Sequence, residues 1–431
     1  MVDIKKNILM TFKKYYISIL LFIFATIELM IVIKNDYYGT YVDESNARLI
    51  MTLIYGAVVS LVIRSLISRV ENKIKQPNWL YLLVPILMSF VYFGILHDLN
   101  GSFQGLKYII FNFLTAILFL VIPFLGKKED SDYYSYKVIL SLVITGVCYL
   151  LMILGIFLII GSISMLFEIK VKSYIFAEIA IFILGFLMPT LFLSGLPKTD
   201  EKRKEYPNFI KKVLMYIVFP ILSIYTIVLY AYFIKILFMF EIPSNMLGNL
   251  VIYYSIVSVV VLYFTNKMKD NKGSNYFIKV YPYTLIIPLI MMFISFIIRI
   301  NEYGFTIARY YALLIFIFAM ISIFMIKVKD KVKYIPVTLS ILLFISIFGP
   351  LSATNISKIS QEHKLESILE SNNMLVDNKI VKNPTLNDED KDKIFSILGY
   401  FSNYHTLDEI DVLPDDFDIN NMEEVFGFSN N

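Results

Sequence analysis

Six ionisable side chains stand where a bilayer would make charge costly. Glu28, Glu178, Lys235 and Arg299 fall inside or near the ends of long apolar runs. Glu302 and Arg309 lie in the polar link R-I-N-E-Y-G-F-T-I-A-R-Y, Arg299 to Tyr310. Charged residues at membrane depth mark ion or substrate paths, so these six would form a polar pocket able to hold a charged solute or pass a proton. A plainer reading stays open beside it. Lys235 and Arg299 are long enough to reach an interface. Glu302 can close the turn as an ion pair with Arg299 or Arg309, and Gly304 permits the reversal. Glu28 reaches out less easily, because it lies about five or six residues inside its run.

Other chemistry is sparse. No G-x-x-x-x-G-K-[ST], glycine-rich dinucleotide loop or H-E-x-x-H occurs, and His97, His363 and His405 are scattered. Cys148 is the single cysteine and lies in an apolar run, which excludes an internal disulfide and a CxxC metal site. No cofactor is expected. No basic block with interleaved aromatics points to nucleic acid. Asp36, Asp43 and Glu44 form an acidic group in the first external link, which would suit group transfer from a lipid carrier, but the link is short for a catalytic platform.

Helices in lipid must carry these side chains. Of 431 residues, 58% are hydrophobic and 17% charged, with mean hydropathy +0.68. A soluble fold would expose too much of that apolar surface. Apolar runs cover 16–33, 49–68, 79–96, 106–125, 138–167, 174–195, 209–240, 246–265, 276–300, 305–326 and 334–350. A crossing helix needs about 20 residues. The runs 138–167 and 209–240 are overlong and must tilt, project or bend. Pro220 supplies a cause in the second, and Gly155 with Gly161 a weaker one in the first. Pro220, Pro282 and Pro288 are the candidate hinges. The first run exceeds the core of a signal peptide, about 7–15 residues, and is expected to remain as a span.

Charge sets the expected direction. With a cytoplasmic N-terminus, 25 Lys and Arg flank the inner ends of the runs and eight flank the outer ends. The expected class is an all-α integral membrane protein of the bacterial cytoplasmic membrane. It is a bundle of about eleven transmembrane helices with a small extracytoplasmic, mainly helical C-terminal tail. Three segments follow: a four-span region 1–135, a seven-span core 136–350 and an acidic tail 351–431, with sixteen acids against six lysines. In the tail, Ile356, Ile359, Leu365, Ile368 and Leu369 give one helical stripe. Asn387 before Asp388, Glu389 and Asp390 opens a second helix. The stretch 408–424 reads as a solvated acidic loop, with a calcium binder as the alternative although no Asp-x-Asp-x-Asp-Gly loop is present.

Several segments together resemble a known family. They are Y-P-N-F-I-K-K-V-L-M-Y-I-V-F-P-I-L from Tyr206, E-I-P at Glu241, the Arg299–Tyr310 link and G-P-L-S-A-T-N-I-S-K-I-S-Q-E-H-K-L from Gly349. Their order is similar to that of the bacterial polytopic membrane-protein family called domain of unknown function 4153. The resemblance is best from about 136 to 417, the first four spans matching in hydropathy alone. It implies a polytopic membrane protein with an extracytoplasmic region after the last span, and no catalytic role.

Three function classes remain. Broken helices and buried charge favour a permease-like or flippase-like protein with an outward-facing polar site and a small-molecule or lipid substrate. An envelope sensor or scaffold would dock an envelope protein through the tail. A lipid-carrier-dependent transferase would use the acids of the first external link. The bilayer is the one partner common to all three.

Overall fold

The structure of the protein is a computed structural model describing residues 4–40, 43–70, 77–97, 102–124, 131–167, 171–196, 214–239, 246–266, 272–328, 331–376, 379–405, 407–414 and 417–428. Among these residues, nine helices are long and apolar enough to cross a membrane, and two shorter apolar helices, Val251–Thr265 and Val332–Ile347, occupy the eighth and eleventh runs. The fold is an all-α membrane bundle. The chain forms two compact units, 1–100 with 104–204 and 101–103 with 205–431. The division falls within the segment 136–350.

In the first unit, α1 (Ile4–Tyr37) packs chiefly on α2 (Glu44–Val70). A non-helical Tyr15 (φ −122°, ψ 28°) kinks α1 where the lysine-rich start gives way to the apolar run. The apolar window of α2 is 67% buried, against 22% for α1, which makes α2 the hub. Small residues allow that role, since a Cβ on Gly56 would collide with the Met88 sulfur. Then follow α3 (Leu83–Phe90), α4 (Ser102–Val121), α5 (Ser131–Phe167), α6 (Ser173–Phe182) and α7 (Met188–Ser194). Helix α5 runs unbroken for 37 residues, so Gly155 and Gly161 do not interrupt it. At 1.5 Å per residue it extends about 55 Å, well beyond a hydrocarbon core of about 30 Å.

The second unit begins with α8 (Phe219–Met239), entered through a π-turn at Leu214–Val218. Pro220 lies two residues past that turn. Pro189 lies two past another, Ile183–Leu187. A proline cannot donate to the carbonyl four residues back, and a one-residue slip in the ladder is one way to accommodate it. Next come α9 (Met246–Thr265), α10 (Lys272–Thr284), α11 (Ile286–Tyr303), α12 (Ile307–Lys327) and α13 (Ile335–Ile347). Buried Leu262, Leu285, Leu289, Met292, Phe318 and Ala319 lie at their shared core. Helices α10 and α11 belong to one span, whose hydrogen-bond ladder breaks at Leu285 between Pro282 and Pro288 while Leu285 keeps helical dihedrals (φ −74°, ψ −25°).

The tail is a small folded module of the same unit. Helix α14 (Ala353–Ser371) is capped by Ser352. A two-residue hairpin pairs β1 (Leu375–Val376) with β2 (Lys379–Ile380), and α15 (Asp388–Tyr404) follows. The Asn387 side chain accepts from the Asp390 amide at 2.7 Å, and three acids occupy the first turn of α15, as its sequence predicts. The expected solvated loop at 408–424 is corrected. Ile410, Val412, Leu413, Phe417 and Met422, with Phe426 of α16 (Met422–Phe426), close the core over Leu365, Leu369 and Phe401. Their spacing follows neither helical nor strand period, so the sequence pattern there is set by its acids.

Candidate functional site

The Arg299–Tyr310 link joins α11 to α12 and lies against the tail. Gly304 adopts φ 69°, ψ 179°, a conformation essentially confined to glycine. That turn aims two carbonyls at α14: the buried Gln361 amide donates to Tyr303 O and Phe305 O, each at 2.8 Å. Phe305 N donates to Ser360 Oγ at 2.8 Å, and Ile307 N to the Tyr400 hydroxyl of α15 at 3.0 Å. Arg309 donates to Gly304 O at 2.6 Å and lies 5.5 Å from the Tyr303 ring. The link is therefore held by backbone carbonyls and tail side chains.

Beside this junction lies a cleft of about 220 Å³. Glu302 of α11, Lys364 and Ile368 of α14, and Asp392, Lys393 and Ile397 of α15 form part of its wall. The Lys393 ammonium is 2.7 Å from Glu389 and 3.6 Å from Asp390. Lys364 donates to Asn301 O at 3.2 Å. The Asn387 amide, with the Asn372 amide and Lys393, holds Asp390 below the ordinary carboxylate range. The lowered value means that this stabilisation is complete above the unfolded value, about pH 4, and is lost as pH falls through the folded one. In acid titrations of tail amide exchange, Asp390→Asn should lower stability by about 0.5–1 kcal/mol at pH 7 and remove part of the acid dependence.

A second polar arrangement lies within the spans. Pro282 lacks the N–H that would close on Ile278 O, and Lys327 of α12 reaches that carbonyl at 3.4 Å and Lys279 O at 2.6 Å. Pro288 likewise leaves Thr284 O, which accepts from the Tyr230 hydroxyl of α8 at 2.8 Å. Next to the interruption, Ser258 bonds Tyr281 at 2.9 Å and Thr226 bonds Tyr254 at 2.5 Å, all four buried. These neutral hydroxyls link α8, α9 and α10. Their sequence signal is uncharged: Tyr254 and Ser258 one turn apart, and Tyr281 next to Pro282.

Lys235 is exposed on α8, Arg299 is half-buried near the end of α11, and Glu302 and Arg309 are brought to the link. Glu28 on α1 and Glu178 on α6 are half-buried in the first unit. There Lys172 donates to the Tyr38 hydroxyl at 2.9 Å within a cluster of Tyr37, Tyr38 and Tyr174. That bond holds the Tyr38 phenol below its ordinary value. Glu44 pairs with Arg48 at 3.2 Å, and Ser45 donates to Asp43 at 2.8 Å, so these acids serve the start of α2. Asp36 lies in the last turn of α1.

One arrangement resembles a hydrolytic triad. Ser357 Oγ is 3.4 Å from His405 Nε2, and His405 Nδ1 is 3.9 Å from Glu409. Yet Ser357 is fully buried and also donates to Thr354 O at 3.0 Å. A nucleophile needs a reachable oxygen, so this set is a buried tie between α14 and the end of α15.

The helices define a polytopic membrane protein. A model of the family described as "Domain of unknown function (DUF4153)" matches residues 17–387, and the chain belongs to that family. The match includes the first four spans, which extends the resemblance forward, and ends before α15. An uncharacterized protein of Pasteurella multocida (strain Pm70) is 26% identical over 352 residues, covering 77% of this chain and 57% of that protein. The chain thus spans little more than half the length of this relative. No solved structure matches the chain.

Proposed function

We propose that the second unit is the working part of a permease-like membrane protein, with the tail on the extracytoplasmic side. The proline-bearing span Asn275–Tyr303 carries the reading: the Tyr230 hydroxyl holds Thr284 O, freed by Pro288, and Lys327 reaches Ile278 O, freed by Pro282, beside a buried hydroxyl cluster. Interrupted backbone at membrane depth is a feature of translocation sites, where it lines a path or is satisfied by protein. Helix packing alone would also use such hydroxyls, so access to water separates the readings. In a Cys148→Ser background, Ser258→Cys should react with a charged, membrane-impermeant thiol reagent in right-side-out or inside-out vesicles. Failure from both sides, while a cysteine at exposed Ser396 reacts, would sink the permease reading. A sensor is the second reading, supported by the tail's attachment to the end of that same span through Gln361 and to the start of the next through Tyr400.

A further inference from the structure

The cleft beside the link carries charges of both signs around an apolar floor. Lys393 is occupied by Glu389 and Asp390. Lys364 gives one bond to Asn301 O, and an ammonium has three donors, which leaves capacity for an anionic group. Glu302 and Asp392 are exposed carboxylates and, among the described residues, neither has a cation within 4 Å. Buried Ile368 and Ile397 contribute apolar wall between the helices. The volume of about 220 Å³ lies below that of drug-sized sites, about 300–1,000 Å³, so the occupant is small.

We propose that this cleft binds a small zwitterion of the amino-acid type, its carboxylate taken by Lys364, its ammonium by Glu302 and Asp392, and its apolar part by Ile368 and Ile397. Both poles are needed. A simple cation would leave Lys364 opposing it, and a simple anion would meet two acids that, among the described residues, have no cation within 4 Å, Glu302 being held only by the Tyr303 hydroxyl. The cleft is built by the tail and the link, so this assignment stands whether or not the bundle transports.

The probes are L-leucine, isopentylamine, which lacks the carboxylate, and 4-methylpentanoate, which lacks the ammonium. Titration calorimetry on the full chain in nanodiscs should detect leucine, with each analogue at least tenfold weaker. Glu302→Gln and Lys364→Gln should each weaken leucine at least tenfold. Ser396→Trp, at an exposed position of the wall, should block it while tail amide exchange stays as in the wild type. Absence of leucine binding to the wild type overturns the proposal. So does equal affinity for either analogue, or binding unchanged in all three variants. Ser258→Cys labelling does not depend on this cleft, so the two readings fail separately.

Discussion

Phe401→Ala is expected to unfold the tail while leaving the membrane helices intact. Phe401 is fully buried among Leu365, Leu369, Leu398 and Phe426. Truncating such a ring costs about 3–5 kcal/mol. Small domains have only about 5–15 kcal/mol in total. Hydrogen exchange on the full chain should show α14 and α15 losing most of their protection. The link should loosen with them, because Tyr400 beside Phe401 accepts the Ile307 amide. Tyr404→Ala, at a side chain 42% exposed, should stay within about 0.5 kcal/mol of wild type. Equal protection in Phe401→Ala and wild type would show that the tail core does not hold the module together.

Gly304→Ala should detach the link from α14 with a smaller cost. The backbone at φ 69°, ψ 179° is strained for any residue with a Cβ, by about 1–3 kcal/mol. The added carbon would also approach Gln361 Nε2 at 2.9 Å and Ser360 Oγ at 3.1 Å, the two groups that bind the link. Exchange should rise at Phe305 and Ile307, while the tail core, whose side chains lie elsewhere, keeps its protection. Protease sensitivity confined to the link would be the simplest readout. Unchanged protection at both amides would mean that the turn tolerates a side chain and that Gln361 is not what fixes it.

The two variants also separate what was legible from what was not. The apolar runs were legible because hydropathy is a sum over neighbouring residues, and each of the eleven runs corresponds to an apolar helix among the described residues. The start of α15 was legible because a cap and its acids lie within one turn. The closing part of the tail core was not, since Ile410, Phe417 and Phe426 have no common period. The partners of the link were not legible for a related reason. Arg309 and Glu302 suggested an ion pair by proximity, whereas Arg309 bonds carbonyls exposed by the Gly304 turn, and Gln361, far along the chain, completes the junction.

By itself the sequence determined the solvent this chain requires, its helical spans and the family to which it belongs. All three follow from composition and local order. The tertiary structure alone decided which polar groups meet: Lys327 and Tyr230 at the proline interruption, Tyr281 with Ser258, and the acids and lysines of three helices around one cleft. Those meetings depend on how packed helices rotate and approach. Neutral hydroxyls and backbone carbonyls leave no mark in hydropathy or charge.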